Sequence, residues 1–206
     1  GNSGAILAQF FQGVSDGASG VSQFDPLTFS IAIQKGSEYA RDALSEPQEG
    51  TILTVITDFS NKLKELIESG VDDFEQILSK GVEEAERSLK NTPNLMDLLK
   101  KAGVVDAGAQ GFVDFLEGIH EFIRTGSLRE FESNLSDLVV VKSEDITHEI
   151  TDRTWQFCTE CLIKGEAIGH KELRKSLMDE GGSMVLAGSK IKAKVHIHTN
   201  DPAKIF

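Results

Sequence analysis

Four groups of residues in this 206-residue chain have the types and spacing to do chemistry. Gly1-Asn2-Ser3-Gly4 runs straight into a helical pattern. Glycines allow close backbone approach, the N–H groups of a helix start attract anions, and Asn2 and Ser3 add side-chain donors. The same four residues also read as a capped helix start, and no Lys follows them as it would in a P-loop. Glu49-Gly50-Thr51 stands at another helix start, where Thr51 either caps the helix or offers its hydroxyl to a phosphate. Val105-Asp106-Ala107-Gly108-Ala109-Gln110-Gly111 is a small-residue loop that leaves room for a flat ligand or permits tight helix packing. The fourth group pairs Cys158-Thr159-Glu160-Cys161 with His196-Ile197-His198. Histidines at i and i+2 of a strand share a face, so a thiolate and two imidazoles on neighbouring strands make three ligands of a zinc site. The alternative is two histidines on a polar sheet face and two buried thiols. His120, His148 and His170 belong to no such pattern.

The elements that must position these groups fall into two stretches. Residues 1–135 read as helix after helix. Ala5, Ile6, Phe10 and Val14 share one face, and Asp25-Pro26 is a helix-start signal for Phe29, Ile33 and Ala40. A third helix over 51–68 carries Ile52, Val55, Ile56, Phe59, Leu63 and Ile67. A fourth over 72–89 carries Phe74, Ile77, Leu78 and Val82. Thr92-Pro93 is expected to begin a short helix ending near Gly103. The next helix, 108–124, is expected to bury Phe112, Phe115, Leu116, Ile119 and Phe122, with a short one at 128–135. Residues 136–152, including Val139-Val140-Val141 and an acidic stretch, read as a linker or edge segment. Residues 153–206 follow as an α+β domain: a strand over 155–163, a helix over 171–179, and strands at 183–187 and 191–198 joined at Gly188-Ser189-Lys190. Asp201-Pro202 starts a last helix. If the helices of the first stretch run side by side, alternate N-termini collect at one end, and their partial positive charges converge on one polyphosphate pocket.

Composition narrows the functions. With 33 acidic residues against 21 basic ones and a net charge of −12, the chain repels nucleic acid and anionic lipid. No apolar run approaches the roughly 20 residues of a membrane span, and no signal-peptide pattern is seen. Two cysteines are too few for a secreted disulfide framework, so a reducing cytoplasm is expected. The chain begins on Gly1, inside a motif, so a truncated first domain is expected.

The motifs Gly1-Asn2-Ser3-Gly4-Ala5-Ile6-Leu7, Glu49-Gly50-Thr51-Ile52-Leu53-Thr54 and Ala102-Gly103-Val104-Val105-Asp106-Ala107-Gly108-Ala109-Gln110-Gly111 resemble the dihydroxyacetone-kinase L-subunit (DhaL) family. The likeness covers nearly the whole chain and is strongest to the branch with bacterial fatty-acid kinase. It implies a mainly α fold, an antiparallel helical barrel shortened at its N-terminus, with a small α+β domain behind it. It further implies that the barrel binds ATP at one end. Gly1, Asn2, Ser3 and Gly4 would approach the phosphates, Thr51 would lie beside them, and Asp106 and Gly108 would frame the nucleotide. The family's Mg2+-binding aspartates lie upstream of the first motif and are not in this chain, so the fragment alone is expected to be a poor catalyst. Phe157-Cys158-Thr159-Glu160 and Val195-His196-Ile197-His198-Thr199-Asn200-Asp201-Pro202 resemble the middle domain of the same branch, which implies Cys158, His196 and His198 as Zn2+ ligands. Cys161 departs from that pattern, as a packed thiol or a supplementary ligand.

The activity the resemblance implies is transfer of the ATP γ-phosphate to a fatty-acid carboxylate presented by a DegV-type lipid-binding protein or fused domain. A glycerone (dihydroxyacetone) kinase and a non-catalytic nucleotide-binding scaffold are the alternatives. A catalytic zinc centre is a third, and the reading also allows a homodimer.

Overall fold

The computed structural model describes residues 2–126 and 154–206. Gly1, the short helix at 128–135, the linker and the boundaries drawn at 135 and 152 lie outside the described residues. Six helices come first: α1 (Asn2–Gly17), α2 (Pro26–Asp42), α3 (Ile52–Glu68), α4 (Phe74–Leu95), α5 (Asp97–Ala102) and α6 (Ala107–Thr125). The second part is β1 (Phe157–Lys164), α7 (His170–Leu177), β2 (Gly182–Ser189), β3 (Lys192–Thr199) and a 3-10 turn, Pro202–Ile205, where a helix was expected. The chain is thus mainly α followed by a small α+β unit.

Local signals explain the helix starts. Asp25 accepts from the Thr28 N–H at 2.7 Å while the Asp25 N–H donates to Thr28 Oγ1 at 3.0 Å, a reciprocal cap with Pro26 just inside it. Asp73 caps α4 through the Gln76 N–H at 2.7 Å. The helical stripes then bury what their period predicts, with Ile52, Val55, Ile56, Phe59 and Leu63 of α3 all in the core. Consecutive helices pack on one another from α1 to α4, and α6 packs on both α3 and α4. Phe112 of α6 meets Phe10 of α1 edge-on at 5.3 Å and Phe59 of α3 at 6.1 Å, so one ring ties three helices together. Gly13 and Gly36 let α1 and α2 approach closely, since a Cβ on Gly13 would lie 2.8 Å from the Gly36 Cα.

Two expectations are corrected. On α6, Phe112 and Leu116 are buried, but Phe115 and Phe122 are 42% and 46% exposed. Both rings lie off the Ala109, Phe112, Val113 and Leu116 face that meets the core; Phe115 rests edge-on against Phe11, itself exposed, at 5.4 Å. The second correction concerns Pro93, which lies inside α4 instead of beginning a new helix. Proline lacks the N–H that would bond the Leu89 carbonyl. The buried Thr92 hydroxyl donates to that carbonyl at 2.8 Å, and the helix resumes with the Met96 N–H on the Thr92 carbonyl at 3.1 Å. Thr92 Oγ1 also accepts the Asp106 N–H at 3.1 Å, which ties the end of α4 to the start of α6.

The sheet is antiparallel in the order β1-β3-β2. One face buries Leu177, Met184, Leu186, Val195 and Ile197 in a second core. The seam between the two parts is a backbone joint. Leu44, just beyond α2, bridges Val185 of β2; the Leu186 N–H donates to the Ala43 carbonyl at 2.9 Å and the Ser45 N–H to the Met184 carbonyl at 3.1 Å. Arg174 of α7 donates to the carbonyls of Leu44, at 2.7 Å, and of Asp42. These are carbonyls at the negative end of α2, where a cation is favoured.

Thr92→Val keeps the side-chain shape but leaves the Leu89 carbonyl and the Asp106 N–H without this partner. The expected loss is about 1–3 kcal/mol of stability in urea unfolding followed by circular dichroism. An unchanged midpoint would show that the hydroxyl does not carry the Pro93 turn.

Candidate functional site

The first, third and sixth helices begin at the same end of the bundle, around a cavity of about 300 Å³. That is the lower end of the range for small-molecule sites. Asn2, Ser3 and Ile6 of α1, Thr51 and Ile52 at the start of α3, and Asp106 before α6 line it. The structure therefore brings together four of the residues singled out in the sequence: Asn2, Ser3, Thr51 and Asp106. Gly4 and Gly108 are not among its lining residues. A Cβ on Gly4 would meet nothing within 4 Å, so no packing in this chain requires glycine there. Gly108 is tightly placed: a Cβ there would fall 2.6 Å from Ser3 Oγ and 3.0 Å from Ser3 Cβ, so the Ser3 hydroxyl would have to turn aside.

Each capping side chain has a defined local task. Thr51 Oγ1 accepts the Leu53 N–H at 3.3 Å and donates to the Gln48 carbonyl at 2.8 Å. Its hydroxyl proton is therefore committed, and Thr51 shapes the cavity wall. Asp106 Oδ1 accepts the Ala109 N–H at 2.8 Å. The rest of the wall was not foreseen. Leu44, Ser45, Glu46 and Gln48 come from the connection between α2 and α3, and Ser183 and Met184 come from β2. Nothing in the residue types of that connection marks it, and only the docking of the second unit brings β2 alongside.

The lining suits a polyphosphate accompanied by a cation. Helix-start N–H groups, Asn2 and the hydroxyls of Ser3 and Ser183 supply donors. Glu46 and Asp106 supply two carboxylates, and none of the described lining residues is Lys, Arg or His. A bare anion would be repelled there; an anion carrying Mg2+ would not.

The second candidate site is on the outer face of the sheet. In the β1–β3 register Cys158 lies opposite His198 and Glu160 opposite His196. The ligand atoms of Cys158, His196 and His198 all fall within 4.8 Å of one another. Cys158 Sγ is 3.8 Å from His196 Nδ1 and 3.9 Å from Nε2. Ligands held 2.0–2.3 Å from a tetrahedral ion are separated by about 3.3–3.8 Å, so this donor set fits zinc after small side-chain adjustments. Glu160 Oε1 lies 3.1 Å from His196 Nδ1 and Oε2 lies 2.8 Å from Lys194 Nζ. Lys194 and then His196 hold the Glu160 carboxyl below its ordinary range. A carboxylate on one imidazole nitrogen orients the ring and leaves the other nitrogen for a metal. Cys161 points the other way, packed against the second core, where burial raises its thiol pKa. That makes it the packed thiol of the two alternatives and not a supplementary ligand.

Comparison with known proteins agrees with both halves. Residues 1–121 match the DAK2 domain, and residues 154–206 match the FakA-like middle domain of fatty acid kinases. The whole chain is 33% identical over 215 residues to protein YloV of Bacillus subtilis and covers 39% of that protein. It is 30% identical over 213 residues to uncharacterized proteins of Staphylococcus epidermidis and Staphylococcus saprophyticus, covering 38% of each. The chain thus spans well under half the length of these relatives.

Glu49 anchors the connection that lines the cavity. Thr54 Oγ1 donates to Glu49 Oε2 at 2.5 Å and Arg41 Nη2 to Oε1 at 2.9 Å, and together they hold the Glu49 carboxyl below the usual range. The folded value lies below the unfolded one, so this contribution is fully present above about pH 4.5 and is lost as pH falls through the depressed value. In a carbon-detected NMR titration Glu49 should titrate below an ordinary glutamate, and Thr54→Val should move it back up. If Thr54→Val leaves the midpoint where it was, the Thr54 contact is not the cause.

Proposed function

The chain belongs to the DAK2 domain family, joined to a FakA-like middle domain, and from that membership we propose that it is the nucleotide-binding module of an ATP-dependent kinase acting on a fatty-acid carboxylate. The observation that carries the reading is the single cavity at which the starts of α1, α3 and α6 meet. Three aligned helix dipoles favour negative charge there, each by about 0.3–1 kcal/mol at an exposed site. Asn2 and Ser3 donate to phosphate oxygens. Thr51 shapes the wall, Gly108 lets α6 close on α1, and Asp106 faces the accompanying cation or a ribose hydroxyl. ATP, when bound with Mg2+, supplies the phosphoryl group and the charge neutralisation that its transfer needs.

A carboxylate acceptor suits this lining. It is already ionised at pH 7 and needs no general base. The acceptor is held by a DegV-type partner or by a further domain of the same polypeptide, since a fatty acyl chain does not fit in a cavity of about 300 Å³ beside a nucleotide. The presence of the second unit favours this over a glycerone kinase, whose corresponding part is the helical domain alone. Cys158, His196 and His198 hold Zn2+ as a staple between β1 and β3, with Glu160 behind His196.

Calorimetry with ATP and Mg2+ tests the nucleotide site, comparing this chain with a version extended upstream toward the length of its relatives. The extended version should bind ATP tightly, and Asn2→Ala with Ser3→Ala should weaken it by about tenfold or more. If neither version binds, the cavity is not a nucleotide site, and the kinase reading and the nucleotide-binding scaffold fall together.

Zinc has its own test. Native mass spectrometry should find one zinc ion per chain, lost in Cys158→Ser and in His198→Ala, and a chelator should lower the melting temperature. Protein purified without chelators that carries no zinc and takes up none would remove the metal from the proposal.

A further inference from the structure

Ser183 belongs to the second unit, yet it lines the cavity formed by the first. Its backbone φ is +52°, and it is the one non-glycine among the described residues with positive φ. That region is costly for an L-residue and persists only where the surroundings enforce it. Here they do. The β2–β3 register shifts between Gly182 and Val185, a bulge of the kind that re-aims a side chain. On its far side the Met184 side chain is buried, and the Met184 carbonyl accepts from the Ser45 N–H at 3.1 Å and from Ser45 Oγ at 3.2 Å. Ser183 itself is exposed, and its hydroxyl makes no hydrogen bond to any described residue.

A strained, pinned residue with an uncommitted hydroxyl at the wall of a phosphate-type cavity is the pattern of a ligand contact. We infer that Ser183 is a ligand-binding residue of this cavity, donating its hydroxyl to a phosphate oxygen of the bound nucleotide, so that the second unit closes the site. The inference rests on the nucleotide reading above and adds a residue outside the DAK2 match, which ends at 121. It also implies a linkage. A ligand that touches both units holds them together, and whatever holds them together, including Arg174 on the end of α2, favours the ligand by the same factor.

The chain carries its own reporter. Trp155, its single tryptophan, lies so close to Gly182 that a Cβ there would collide with the indole. Titration of ATP with Mg2+ into the upstream-extended chain should change Trp155 fluorescence along the same isotherm that calorimetry records. Ser183→Ala, which keeps the backbone strain and removes the hydroxyl, should raise Kd about tenfold, the effect of one lost charge-assisted hydrogen bond. Ser183→Gly should raise Kd similarly while raising the melting temperature, because glycine relaxes the bulge. Wild-type affinity in both variants would overturn the Ser183 contact and leave the nucleotide site standing. No ATP binding by the unsubstituted protein would remove the nucleotide reading and this inference with it.

Discussion

The parallel alignment of α1, α3 and α6 is the constraint on which the rest depends, and it is held at the edge-on contacts of Phe112 with Phe10 and Phe59. Edge-to-face aromatic contacts add about 0.5–1.5 kcal/mol beyond the area they bury. More important, they fix which helices are neighbours. Because α2 and α4 run the other way, the three helices in register at Phe112 present their N-termini together. N–H groups gathered at one end of a bundle favour negative charge without any basic side chain, and so offset part of the repulsion from Glu46 and Asp106.

Two polar residues translate that alignment into a formed cavity. Thr92 satisfies the carbonyl that Pro93 strands and, with the same oxygen, seats Asp106 at the head of α6. Glu49 is gripped by Thr54 and Arg41, which holds the connection between α2 and α3 along the rim. Thr92 is a buried polar group kept because its partners are complete, whereas Glu49 is exposed and acts through its two contacts. Gly108 plays the complementary part by leaving out atoms, since a Cβ there would push the Ser3 hydroxyl aside.

The second unit presents opposite characters on its two faces. Its inner face is an apolar core, and its outer face gathers Cys158, Glu160, Lys194, His196 and His198. Its β2 edge pairs with the segment after α2, which covers part of a strand edge that would otherwise be an unpaired template. Arg174 reinforces the joint: its guanidinium gives up water, which lowers its pKa, in exchange for two carbonyls at a helix C-terminus.

Much of this was legible in the order of residues. The 3.6-residue stripes marked the described helices, apart from the end of α4, which runs through Pro93 to Leu95, and period-2 alternation marked three strands. Asn2, Ser3, Thr51 and Asp106 stood out because small and capping residues mark helix starts, and the structure gathers those starts around one cavity. Cys158, His196 and His198 stood out because i, i+2 spacing places side chains on one face of a strand whatever surrounds it. These are local properties, set by backbone period alone. What only the tertiary structure decided depends on partners far apart in sequence. Pro93 stays within α4 because Thr92 can serve both Leu89 and Asp106; Phe115 and Phe122 stay exposed because the core meets a neighbouring face of α6; Cys161 is a packed thiol because its face of β1 covers the second core. Ser183 reaches the cavity because β2 docks some 139 positions from Ser45. No window of sequence contains both ends of such a contact, so it became visible only once the two units were seen side by side.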